Sequence, residues 1–151
     1  MGQQQLLLLI MTVIIVSVAT VIAANLFSNA LESANLEAIN KDLATVGAQS
    51  QAYYVKSTIL GGGGGEFTNL NFFNITFPAD SITPDGMIAI NANAEYEINL
   101  IFPWLMQIRA TPANGHSTVE RIDALVYPDG IQYTVRYISE QWFLGAEVAK
   151  G

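Results

Sequence analysis

Twenty-two consecutive residues near the amino terminus, Leu6 to Phe27, carry no charge. Leu6, Leu7, Leu8, Leu9 and Ile10 open the run, Val13, Ile14, Ile15, Val18, Val21 and Ile22 continue it, and Leu26 and Phe27 close it. As a helix it spans about 33 Å, enough to cross a bilayer core of roughly 30 Å. A water-facing helix does not carry such a run, so an ordinary cytosolic globule is excluded. A secretory signal peptide fits poorly, because no Lys or Arg precedes Lys41 and the apolar stretch is too long. A spanning helix normally has basic residues on its cytoplasmic flank. Here Met1-Gly2-Gln3-Gln4-Gln5 stands instead, and the expectation is that a basic leader has been removed from a mature product.

The helix is expected to continue beyond Phe27. No proline occurs before Pro78, and the first glycine after Gly2 is Gly47. Leu36, Ile39, Leu43, Val46, Ser50 and Tyr53 alternate spacings of three and four and share one face. Glu32, Glu37, Lys41 and Asp42 fall off that stripe, with Glu37 and Lys41 at a favourable i,i+4 spacing. Gly61 to Gly65 ends the helix. The pattern predicts one helix over 1–60, with 1–27 as the hydrophobic polymerisation or membrane segment. Residues 28–60 form its amphipathic part, and a glycine linker follows at 61–65.

Beyond the glycines the period changes from helical to alternating. Ala94 to Leu100 and Ile131 to Tyr137 alternate apolar with polar residues, as half-buried strands do. Val119 to Tyr127 and Ile131 to Ile138, joined through Pro128-Asp129-Gly130, read as a hairpin. Pro84-Asp85-Gly86 predicts a turn before a strand at Met87 to Asn91, and Ala113-Asn114-Gly115 predicts another turn. Further strands are expected at 67–77, 101–110 and 142–148. The fold class is therefore α+β: a long N-terminal helix and a small antiparallel β head, sheet or sandwich, over 66–151. A head this small needs the Leu36 to Tyr53 stripe to complete its core.

The polar residues offer little chemistry. The net charge is −7, from 13 acids against 6 bases, which disfavours nucleic acid as a ligand. No cysteine is present, so disulfides, thiolate metal sites and a cysteine nucleophile are excluded. His116, the one histidine, follows Asn114-Gly115 in an expected turn, without a nucleophile-elbow sequence. Glu95 and Glu97 share one strand face, which a polar sheet surface explains. Asp80 and Asp85 lack the ligand spacing of an EF-hand loop. Gly61 to Gly65 follows a helix and precedes Glu66, the reverse of a phosphate loop, and reads as a flexible hinge or tight crossover. No catalytic, cofactor or metal residue is assigned, and the chain is not read as an enzyme. Asn74-Ile75-Thr76 matches an N-glycosylation acceptor, although three-residue patterns arise often by chance.

A charge-free half-helix running unbroken into an amphipathic half, then a β head, resembles the type IV pilin family. The resemblance rests on Gln3-Gln4-Gln5 leading into Leu6 to Phe27 and on the continuation through Leu36 and Tyr53. It covers roughly the first 60 residues well, and the head only in general architecture. It implies a prepilin whose short basic leader is cut by a membrane prepilin peptidase. Bacterial pilins place a glutamate near the mature terminus, to meet a neighbour's terminal amine. Gln5 stands there here, a contact without charge. The apolar stretch also lacks the proline that many bacterial pilins carry. Both features look closer to archaeal pilins and archaellins, whose β heads are sandwich-like.

The expected function is a structural subunit of an extracellular, cell-surface filament. It would lie in the membrane before assembly and then polymerise through Leu6 to Phe27 with copies of itself, its head exposed for adhesion or surface contact. Prepilin peptidase and an assembly machinery are the other implied partners. Heterologous contacts that do not close into a ring generate such a helix. The alternatives are a single-pass membrane-tethered binding domain and a pseudopilin of a secretion machine.

Overall fold

The structure, a computed structural model, describes residues 2–113 and 118–137. It is α+β, one long helix followed by an antiparallel sheet. Helix α1 runs Gly2–Val55, 54 residues and about 80 Å at 1.5 Å per residue. The chain divides into two compact units, Met1–Leu36 and Glu37–Gly151. The first consists, among its described residues, of α1 alone.

In the second unit six strands form one meander in the order β1 (Ser81–Ile82), β2 (Ile88–Ile90), β3 (Ala94–Phe102), β4 (Leu105–Pro112), β5 (Val119–Tyr127) and β6 (Gly130–Tyr137). Among the described residues there is one sheet and not a sandwich. Ile39, Leu43, Val46, Ser50 and Tyr53 are buried, while Leu36 is half-exposed at the end of the first unit. The buried stripe meets one face of the sheet, built by Tyr96 and Ile98 on β3, Met106, Ile108 and Ala110 on β4, and Ile122, Ala124 and Val126 on β5. Gly47 marks a close approach. A Cβ there would collide with the Ile131 Cδ1 atom, and Val126 lies just beyond. A glycine in mid-helix costs about 1 kcal/mol against alanine, here exchanged for a helix seated close on β5 and β6. Buried Ser50 satisfies its hydroxyl on its own helix, donating to the Val46 carbonyl at 2.7 Å.

Three expectations are corrected. The helix does not reach Leu60: it stops at Val55, and Thr58–Leu60 form a 3-10 turn. The cause lies in the glycines, whose amides reach back to the last helical carbonyls. Gly63 N donates to Tyr53 O at 2.8 Å, Gly65 N to Tyr54 O at 2.7 Å, and Gly64 N to Lys56 O at 2.9 Å. The Tyr53 and Tyr54 carbonyls are among the groups a helix end leaves unsatisfied, and Lys56 follows the last helical residue. The run is a tight crossover, and it requires glycine. Gly61, Gly64 and Gly65 have φ of 79°, 62° and 94°, and a Cβ on Gly62 would strike the Lys56 carbonyl.

Residues 67–77 are not a strand. Phe67, Leu70, Phe72 and Ile75 are buried, but the asparagines between them make turns. Asn69 sits at φ 67°, and the Asn71 Oδ1 atom accepts from the amides of Phe73 and Asn74 at 3.0 and 3.1 Å. The expected strand at 101–110 is instead the end of β3, a turn at Pro103 and Trp104, and β4. The strand expected at 142–148 and the turn residues Asn114 and Gly115 lie outside the described residues.

Candidate functional site

The surface that most needs a partner is the first half of α1. From Leu6 to Phe27 its large apolar side chains are 47 to 66% exposed, and no part of its most apolar stretch is buried. Among the described residues it is the one helix long and apolar enough to cross a membrane. Apart from Asn25, its few polar side chains do not oppose an apolar environment. The hydroxyls of Thr12, Ser17 and Thr20 each donate back to the helix, to the carbonyls of Leu8, Val13 and Val16, all at 2.7 Å. With backbone and hydroxyl groups closed internally, the cylinder presents almost nothing that requires water. At 1.5–3 kcal/mol for each large apolar side chain fully removed from water, hiding it is worth on the order of tens of kcal/mol as an upper bound. Gln5 is exposed on the same helix, one residue before Leu6.

In the second unit α1 is fixed to the sheet by a polar anchor. One oxygen of Asp42, Oδ2, accepts from the Tyr96 hydroxyl at 2.7 Å, from Asn91 Nδ2 at 2.9 Å and from Asn93 Nδ2 at 3.0 Å. The Asn91 Oδ1 atom in turn accepts from the amides of Asn93 and Ala94 at 2.9 and 3.1 Å, which shapes the approach to β3. Burial, and then the Asp42 carboxylate beside it, push the Tyr96 hydroxyl above the ordinary tyrosine range. On the far side of the sheet Glu97, Arg109 and Asp123 stand side by side in register. Arg109 donates to Glu97 at 2.9 Å, and the buried Asp123 lies 3.5 Å from Arg109 and 3.2 Å from Arg121. The two Asp123 contacts are charge proximity without hydrogen-bond alignment at either guanidinium Nε.

The other polar candidates do not converge. Glu97 is engaged by Arg109, whereas Glu95 is exposed. Asp85 caps its own turn: the Thr83 hydroxyl, and then the Met87 amide, hold its carboxyl below the usual carboxylate range. Asp80 is exposed and its backbone amide pairs with Ile90. Asn74 sits exposed in a turn, its side-chain amide donating to the Asn69 carbonyl at 2.8 Å. His116 lies outside the described residues.

Two features escape sequence reasoning. One is the Asp42 anchor, for which the flanking position of Asp42 beside Ile39 and Val46 was the available signal. The other is an exposed aromatic tip between β3 and β4, where Phe102 and Trp104 stack with centroids 5.3 Å apart and Tyr127 follows at 6.4 Å from Trp104. Comparison with family models, curated proteins and solved structures finds no match.

Proposed function

We propose that this chain is the structural subunit of an extracellular helical filament of the type IV pilus kind. It polymerises through Leu6 to Phe27, and its β head forms the outer, contact-making surface. The membrane holds the apolar helix before assembly, and copies of the same helix enclose it afterwards. The observation that carries the reading is the unburied, charge-free half of α1, continuous with a half whose buried stripe anchors a folded head. A tether would need only the span. Here one helix belongs to both halves, so that packing the apolar half against its copies brings the heads along with it. Many parallel copies bury the apolar surface with no ring to close, and growth is open-ended.

Negative-stain microscopy of material sheared from cells making the chain tests this. Long thin fibres whose protein is this chain support the reading. A detergent-soluble monomer confined to the membrane fraction refutes it and leaves the single-pass tether.

A further inference from the structure

We propose that Asn74 is a modification site, whose side-chain nitrogen takes an N-linked sugar that packs on the exposed ring of Phe73. The filament reading enters only by placing the head on the outer side of the membrane, a position the single-pass tether shares. Asn74-Ile75-Thr76 is the one place in the chain where Ser or Thr stands two residues after an asparagine. Such a pattern gains weight from where the fold puts it, since acceptors lie in surface loops. Here it lies between the 3-10 turn and β1, outside helix and strand. Ile75 is buried, whereas Asn74 and Thr76 on either side of it are exposed. The amide and the hydroxyl of the acceptor pattern thus both reach solvent, while the residue between them pins the segment to the core.

The bond that Asn74 already makes is compatible with the reaction. Its Nδ2 carries two hydrogens, and one is donated to the Asn69 carbonyl at 2.8 Å. Glycosylation replaces one hydrogen and keeps the other, so this bond survives and orients the sugar. In the reaction a bond forms from Nδ2 to the anomeric carbon of the sugar, and that carbon's bond to the phosphate of a polyprenyl-linked donor breaks. The phosphate leaves with the bonding pair, and the replaced hydrogen leaves Nδ2 as a proton.

Phe73 is the second observation. It is 62% exposed, and among the described residues it pairs with no other ring. Yet the ring is held in place. A Cβ on Gly86 would come within 2.8 Å of it, so the phenyl lies on the bare backbone of the Pro84-Asp85-Gly86 turn. The Phe72 amide donates to the Gly86 carbonyl at 2.8 Å and clasps the two turns together. Asn71 Oδ1 accepts from the amides of both Phe73 and Asn74, which fixes the ring and the acceptor relative to each other. A solvent-facing ring one residue before Asn74 offers an apolar face of negative π charge, which suits the C–H face of a pyranose. Covering it removes apolar surface from water.

Mass spectrometry of the full chain isolated from its own cells tests the site. The peptide holding Asn74 is expected to carry the added mass of a glycan, to lose it in Thr76→Ala and to keep it in Thr76→Ser. An unmodified Asn74 overturns the proposal even where fibres form, and a modified chain without fibres upholds the site and refutes the filament reading. Hydroxyl-radical footprinting of the detergent-dispersed chain reads the ring. Labelling of Phe73 is expected to be several-fold lower in the modified wild type than in Asn74→Gln, and equal labelling overturns the packing of the sugar on Phe73.

Discussion

Replacing Asp42 by alanine isolates the anchor between α1 and the sheet. In the folded head the Tyr96 hydroxyl is inaccessible to water and has Asp42 Oδ2 as its acceptor at 2.7 Å. Asp42→Ala leaves that hydroxyl buried without a partner, which costs about 1–3 kcal/mol. Asn91 and Asn93 are only part-buried, so their freed amides turn to water at about 0.5 kcal/mol each, the low end for a hydrogen bond. The expected loss is about 2–4 kcal/mol, and since 1 kcal/mol moves a domain of this size by several degrees, Tm falls by about 10 °C or more. Tyr96→Phe removes the donor and leaves no orphan, so it costs only about 1 kcal/mol. Thermal unfolding of the detergent-dispersed full chain, followed by near-ultraviolet circular dichroism, reads the head without interference from the micelle-bound half of α1. If Asp42→Ala melts within about 1 °C of wild type, or if the double variant shows no coupling between the two sites, the anchor contributes nothing and the argument fails.

The titration of Tyr96 gives a pH-dependent companion: its folded-state pKa lies above the ordinary 10.0, so the stability it adds is complete below pH 10 and is lost as pH rises beyond it. Alkaline unfolding followed by near-ultraviolet circular dichroism is expected to show that loss, and Tyr96→Phe to lack it. Asp85 runs the opposite way. Its pKa is held below 3.8 by Thr83 and Met87, so its contribution persists above 3.8 and disappears as pH falls below it; nuclear magnetic resonance titration of Thr83→Val is expected to return Asp85 toward 3.8. Gly63→Ala is expected to destabilise the head by about 1–3 kcal/mol in urea unfolding, because its Cβ would collide with the Glu66 carbonyl. Ile14→Asp places a charge at the centre of the apolar run, at about 2.5–3.5 kcal/mol on insertion, and is expected to abolish fibres by electron microscopy while leaving the melting of the head unchanged.

The elements that show in the sequence are those in which a period and its punctuation agree. Ala94 to Leu100 alternates strictly, and Pro128-Asp129-Gly130 separates two β-rich runs; β3 and the β5–β6 hairpin follow both signals. The stripe from Ile39 to Tyr53 is legible for the same reason, since burial on one helix face imposes spacings of three and four. Where apolar residues run on without a break, the turn is hidden. Ile98 to Met106 contains one polar residue, Asn99, and Pro103 alone marks the end of β3. Between Phe67 and Phe77 the aromatic residues suggest a strand, yet Asn69, Asn71 and Asn74 decide the backbone by bonding it locally. Beyond the flanking position of Asp42, the sequence does not show the anchor, because its partners, Asn91, Asn93 and Tyr96, come together only through the meander. Five glycines in a row likewise suggest slack. That each amide instead finds a helical or loop carbonyl depends on where α1 stops.

Electron cryomicroscopy of isolated fibres, at a resolution that traces α1, tests the central claim most directly. The account predicts Leu6 to Phe27 of every subunit at the fibre axis, each copy enclosed by other copies and free of lipid. Fibres whose apolar helices remain in a bilayer, or whose axis is built from any other part of the chain, would contradict it.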